Sequence, residues 1–328
     1  MSAAVSRAMW NRIQSGALKV GPATRPGLMI SGGGYQGKTE TACEVAARFE
    51  DQWLALHQHF NPEAVAGTRD LHAPVAYIQT PVTATPKSTC QAILNFYGGP
   101  FSTHWTLPQL VHAVRSSLQD HGTRVLILDD ITRLRMHREA DQDALDLIRS
   151  LMSMNVTLVL IGVGIATSGL LGPPATRTGS LRHPGHEAAT QTQRRFDLVE
   201  LDRFRYDTPA QINAGVTHLT GLERHLRLLG AHSGMLSGST MPEYLFRRTG
   251  GVIGLLERLI DDGCGQAIET GTEKLTIGLL DELDLNLGAH PGREASAGEI
   301  PALPGPARRA KRKPRNTVFD DHGPTAAR

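Results

Sequence analysis

The stretch Gly32-Gly33-Gly34-Tyr35-Gln36-Gly37-Lys38-Thr39 decides how the rest of this chain is read. It fits G-x-x-x-x-G-K-[ST], a loop built to hold phosphate. Glycines let backbone N–H groups close on phosphate oxygens with no Cβ in the way, and the following helix turns its positive end toward them. Lys38 is expected to reach the outer phosphates of a nucleoside triphosphate as a mobile charge, with the Thr39 hydroxyl as a magnesium ligand. The flanks agree. Residues 27–30 form a short apolar run that reads as a buried parallel strand. Val45, Phe49, Trp53, Leu56 and Phe60 recur at three- and four-residue spacing, which puts them on one face of a helix.

About ninety residues on, Arg124-Val125-Leu126-Ile127-Leu128-Asp129-Asp130 reads as the acidic partner of that loop. An aliphatic strand delivers Asp129 to the carboxyl edge of the sheet, where a carboxylate holds magnesium directly or through water. Asp130 follows where a general base would polarise an attacking water; it is one methylene shorter than glutamate. Gln193-Arg194-Arg195-Phe196 carries a pair of arginines just before an apolar run. Arg195, or Arg194, is a candidate finger that neutralises a neighbouring protomer's γ-phosphate. A solvated basic pair is the competing reading.

Strands at 27–30, 74–79, 125–128, 156–161 and 196–201 alternate with helical stretches, which predicts an α/β fold with a parallel, doubly wound sheet. Thr85 with Pro86 caps one helix, which closes at Gly98-Gly99. Thr106-Leu107-Pro108 starts another that buries Leu110, Val111, Val114 and Leu118. Residues 1–26 read as an arm with one amphipathic helix, 27–205 as the core, 206–288 as a helical lid and 289–328 as a disordered basic tail. The lid helices are expected at 209–229, 241–248, 252–270 and 276–286. Residues 169–190, rich in Gly, Pro, Thr and His, read as a long exposed loop.

The 328 residues carry a formal charge of +2, so the whole is no polycation. The charge is uneven: the last forty residues hold eight Lys or Arg against four acids, a net of +4. The cluster at 306–315, PARRAKRKPR, suits a phosphate backbone, a partner protein or a solubilising role equally well, and it has no aromatic residue for base stacking. Cys43, Cys90 and Cys264 are far apart and form no metal pattern, as expected of free thiols in a reducing cytoplasm. The fourteen histidines form none either. No apolar run reaches the roughly twenty residues a bilayer span needs, and no secretion signal is evident.

Taken in order, the loop, AYIQTP at 76–81 with its threonine-capped helix, LILDDITRL at 126–134, LVLIGVG at 158–164, QRRFDLVEL at 193–201 and FRRTGGVIGLL at 246–256 resemble the AAA+ transposition ATPases of the TniB/TnsC type, relatives of the Mu B protein. The resemblance implies ATP with Mg2+, a homo-oligomer formed when ATP is bound, non-specific contact with duplex DNA, and work beside a DDE transposase. Three features depart from the family pattern. Asp130 stands where glutamate is usual, which implies slow hydrolysis. Gly164-Ile165-Ala166 follows the fourth strand where a polar residue is common, leaving Thr167 or Ser168 to serve. The lid motif has no arginine between Thr249 and Leu256, leaving Arg247, Arg248 or Arg258 to reach nucleotide or to stand as surface charges. A nucleotide-loaded binding module that barely hydrolyses is the alternative function.

Overall fold

The computed structural model describes residues 2–19, 21, 24–63, 72–134, 142–165, 168 and 194–285. The expected loop at 169–190, the tail at 289–328 with its basic cluster, Thr167 and Gln193 lie outside the described residues. The chain forms two compact units, Ser2–Leu201 and the residues from Asp202 onward.

The first unit is built on five strands, β1 (Gly27–Gly32), β2 (Val75–Gln79), β3 (Val125–Asp129), β4 (Thr157–Gly162) and β5 (Phe196–Leu201). All the pairings are parallel, in the order β2-β3-β4-β1-β5. Both central strands β3 and β4 are buried along their whole length, which is why they read as unbroken aliphatic runs. Alternate residues then serve opposite faces. Leu126, Leu128, Leu158 and Leu160 pack with Cys90, Ile93, Leu110 and Leu147, from α3 (Pro86–Phe96), α4 (Leu107–Asp120) and α5 (Gln142–Met152). Val125, Ile127, Val159 and Ile161 face the other way, onto α1 (Ser2–Ala17) and α2 (Lys38–Phe60). Each such aliphatic side chain contributes roughly 1.5–3 kcal/mol on burial.

The amphipathic helix expected near the N-terminus is present, and it is no free arm. Val5, Met9, Ile13 and Ala17 recur every four residues and are buried in the same cluster as Leu28 and Phe49. Arg12 forms an ion pair with Asp197 on β5, and Arg48 on α2 sits over the Trp10 ring at 4.7 Å. The capped helices form as expected: Thr85 Oγ1 accepts from Ser88 N at 3.1 Å, and Gln109 Oε1 accepts from Thr106 N at 2.8 Å. Val111, expected in the core, is only half-buried on the flank of α4. All three cysteines are free, Cys90 buried and the others half-buried.

The second unit is helical, with α6 (Pro209–Glu223), α7 (Met241–Thr249), α8 (Ile253–Glu269) and α9 (Ile277–Asp281). Its own core includes Leu219, Leu236, Leu245, Leu259 and Leu280. Two helices are shorter than their periodicity suggests. α6 stops at Glu223, whose carboxylate accepts backbone N–H bonds from Gly234 (3.2 Å), Leu236 (2.6 Å) and Ser237 (2.6 Å) in the turns that follow. α9 is little more than one turn, capped by Thr276 and ending where Arg248 takes the carbonyls of Leu280 and Leu283. Among the described residues, no helix is long and apolar enough to cross a membrane.

Candidate functional site

β1 runs buried to Gly32, whose Cα is held so close to β5 that a Cβ there would lie 2.4 Å from the Leu201 carbonyl oxygen. The chain then leaves the sheet in a loop with Tyr35 (φ 56°) and Gly37 (φ 73°) in the left-handed region. That conformation reverses the chain directly into α2 and leaves Gly37 at the helix N-cap with no capping side chain. The first backbone N–H groups of a 23-residue helix therefore face the loop without an internal partner, an arrangement suited to an anion. A Cβ at Gly34 would meet nothing within 4 Å, so the loop is open on that side.

Lys38 folds back over this loop, its Nζ donating to the Gly33 carbonyl at 2.5 Å. It is 8% exposed. Burial lowers its pKa, opposed by the nearby charges of Asp129 and Asp130. Thr39 Oγ1 donates to Asp129 Oδ2 at 2.7 Å, tying the start of α2 to the end of β3. The two residues expected to hold magnesium are thus brought together across 90 positions of sequence. Their oxygens are hard donors of the type magnesium takes, and the donor set fits that ion.

The same Asp129 oxygen accepts a second bond, from Tyr77 Oη at 2.7 Å. Asp129 Oδ1 accepts the backbone N–H of Asp130, also at 2.7 Å. Tyr77 was legible only as a strand residue. The parallel register sets Tyr77 beside Ile127 and Gln79 beside Asp129, so Tyr77 and Asp129 share a face and the long ring spans the diagonal. Burial, and then the bond to Asp129, raises the Tyr77 pKa and keeps the phenol a donor.

Asp130 stands at the carboxyl edge as expected, but in the left-handed conformation (φ 52°, ψ 37°) and with its carboxylate engaged. Its Oδ2 pairs with Arg133 Nη2 at 2.8 Å, and Arg133 Nη1 donates to the Thr80 carbonyl at 3.1 Å. Nothing in the spacing of the sequence singled out Arg133. Ser168 donates to the Ile165 carbonyl at 2.8 Å.

Arg194 and Arg195 are exposed and stand at the start of β5, beside Gly27 at the amino end of β1. Six residues of strand, about 20 Å, separate that edge from the loop. The structure therefore does not bring them to the loop of their own chain. The lid arginines are engaged within the lid unit. Arg247 pairs with Glu243 at 2.7 Å, Arg258 with Asp262 at 3.4 Å, and Arg248 holds two carbonyls of the α9 segment.

A parallel sheet of this order, with the phosphate-type loop after β1 and an acid at the end of β3, defines a nucleotide-binding P-loop protein of the AAA+ class, carrying a helical lid unit. The family of the bacterial TniB protein matches residues 6–171, and the chain belongs to that family. No curated protein matches the sequence. Among solved structures it is similar in fold to Cdc6p from Pyrobaculum aerophilum (TM-score 0.54, 13% identity, 83% of this chain and 63% of that one). It is likewise similar to the Aeropyrum pernix ORC2 protein in its ADP form (0.52, 16%, 85% and 65%). The Aeropyrum pernix ORC1 protein in complex with DNA is a third (0.50, 14%, 85% and 63%). The chain spans 63 to 65% of the length of these proteins.

Proposed function

We propose that this chain is an ATP-driven switch that assembles on duplex DNA and works beside a DDE transposase. The observation that carries the reading is the 2.7 Å bond between Thr39 and Asp129, which joins the phosphate loop to the acid of β3 at one spot. Residues 32–39 would hold the triphosphate, with Lys38 leaving the Gly33 carbonyl for the outer phosphates. Thr39 and Asp129 would hold magnesium, which supplies Lewis-acid polarisation of phosphate oxygens when bound. In hydrolysis the oxygen of a water bonds to the terminal phosphorus and its proton passes to Asp130. The bond from that phosphorus to the bridging oxygen breaks, and its electron pair leaves on the diphosphate. Arg195, or Arg194, would act on the site of the next protomer, which agrees with its position across the sheet from its own loop. Membership of the TniB family supports the transposition role, and the ORC1 protein solved with DNA supports the DNA contact by analogy of fold.

The experiment is ATP turnover measured against DNA concentration, with light scattering on the same samples. Lys38→Ala should abolish nucleotide binding and ATP-dependent association with DNA; unchanged DNA binding sinks the switch. Mixing Arg195→Ala with Asp130→Asn should restore turnover at one interface if the finger acts between protomers. The second reading, a nucleotide-loaded binding module with little hydrolysis, is favoured by one observation: Asp130 is already paired with Arg133. Turnover that stays at background in the presence of DNA and transposase would select it.

A further inference from the structure

We infer that the amino edge of the sheet, opposite the loop at 32–39, holds a site for a small tetrahedral oxyanion such as inorganic phosphate, floored by Arg25 and Thr157 and rimmed by Arg124 and His72. Five buried side-chain atoms along this edge meet no hydrogen-bond partner among the described residues: Nε and Nη1 of Arg25, Oγ1 of Thr157, Nε of Arg124 and Nε2 of His72. Buried polar atoms are normally satisfied, and each one that is not costs the fold free energy. All five can donate, which selects an anion as their common partner.

The topology gathers the four residues. Arg124 precedes β3, and its carbonyl accepts Thr157 N at 2.8 Å at the start of β4. The β1–β4 register pairs Leu28 with Val159; continued two residues back it sets Pro26 beside Thr157, with Arg25 one residue further out. The end of α1 closes over both. A Cβ on Gly16 would collide with Thr157 Oγ1, and the Lys19 carbonyl accepts Arg25 Nη2 at 2.8 Å. Arg124 lies over the Trp53 ring of α2 at 5.5 Å, and the His72 ring stacks on His57 of the same helix at 4.4 Å.

Arg25 is 2% exposed and Thr157 0%, whereas Arg124 and His72 are half-buried, so the floor is closed and the rim is open. The charges that bear on these groups are of one sign. Burial and then Arg124 lower the Arg25 pKa; burial, then His57 and Arg124, lower that of His72. Two guanidiniums that repel each other at a buried place are destabilising until an anion stands between them. Donors from four separate residues match the four oxygens of a tetrahedral ion better than the two of a carboxylate, and a guanidinium fork suits a pair of phosphate oxygens. A floor this enclosed admits an ion and not a duplex.

The test is thermal unfolding of the full chain carrying Lys38→Met, which disables the loop at 32–39, with sodium phosphate compared against sodium chloride at matched ionic strength. On this reference chain, Arg25→Met keeps much of the side-chain volume and removes the charge, and Thr157→Val keeps the shape and removes the hydroxyl. At about a hundred times its dissociation constant, phosphate should raise Tm by roughly 5–10 °C more in the reference chain than in Arg25→Met, with Thr157→Val between them. If Arg25→Met does not fold, Thr157→Val carries the same comparison. No phosphate-specific rise in the reference chain overturns the site and leaves the five atoms to ordered water. An equal rise in all three chains also overturns it, because a general salt effect or an ion bound elsewhere does not depend on Arg25. A short DNA duplex in place of phosphate should give no Arg25-dependent shift; if it gives one, the site belongs to a nucleic-acid backbone and the assignment to a small ion fails.

Discussion

The hydroxyl of Tyr77 on β2 lies 2.7 Å from Oδ2 of Asp129 on β3, the same oxygen that accepts Thr39. A carboxylate approached by a cation must keep its orientation while its donors rearrange. A phenol anchored in the neighbouring strand supplies a fixed reference that a loop residue does not. Tyr77→Phe keeps the ring packing and deletes that donor. We expect a loss of about 1.5–3 kcal/mol in binding of the magnesium–ATP complex, the range for hydrogen bonds to charged groups. Titration with and without magnesium checks it: an equal loss in both would mean that Asp129 is not being positioned for the metal.

Burial lowers the pKa of Lys38, whose ammonium donates to the Gly33 carbonyl, so the charge is a cost to the folded chain until phosphate arrives. The folded value lies below the unfolded one. Between the two, the unfolded chain holds the extra proton, so stability rises with pH across that window; below it the cost is present in full. Lys38→Met should stabilise the core unit by on the order of 1 kcal/mol near neutral pH, about 2–4 °C in Tm, while abolishing nucleotide binding. A lower Tm in the variant would show that the Gly33 contact outweighs the burial.

Glu223 behaves oppositely. Burial pushes its pKa up, but the bonds from Ser237, Gly234 and Leu236 push it down further, and the net direction is down. A carboxylate depressed on folding contributes stability that is present above the unfolded value and is lost as pH falls through the folded one. Glu223→Gln should cost the lid unit about 1–3 kcal/mol at pH 7. The parent and variant should converge in thermal melts as pH falls through the depressed folded value of Glu223; a difference that persists in stronger acid would point to packing instead of charge.

Gly251 marks the start of α8, with φ 75° and a notional Cβ only 2.4 Å from the Phe204 carbonyl oxygen. Its own carbonyl accepts Phe204 N at 2.8 Å, so the two segments run against each other with no room for a side chain. Gly251→Ala combines a left-handed strain of roughly 1–2 kcal/mol with that clash. It should lower the unfolding midpoint of the lid unit, read by hydrogen exchange at Leu256 and Leu259, while exchange in β3 and β4 is unchanged.

Several parts of the molecule were written in local sequence. The loop at 32–39 has a fixed spacing and a composition that only phosphate binding explains. The aliphatic runs of β3 and β4 are long enough to identify strands buried on both faces. The Thr85-Pro86 and Thr106-Pro108 starts carry their own hydrogen-bonding logic. In each case the cause lies within a few residues, so a reader of the chain alone can reconstruct it.

Other parts needed the fold. The alternation that makes α1 amphipathic was visible, but whether that face met a partner depended on α2 and the sheet closing over Val5, Met9 and Ile13. The ends of α6 and α9 were overrun because periodicity continues past the point where Glu223 and Arg248 recruit distant backbone groups. Around the site the division is sharpest. The sequence by itself determined that this chain carries a phosphate loop, an acidic strand end and a parallel α/β core, since spacing and hydrophobic period are local properties. Only the tertiary structure decided that Tyr77 and Thr39 share one oxygen of Asp129, that Arg133 holds Asp130, and that Arg195 stands at the far edge from its own loop. Those depend on which strands are neighbours and in what register, and no local stretch of chain encodes that.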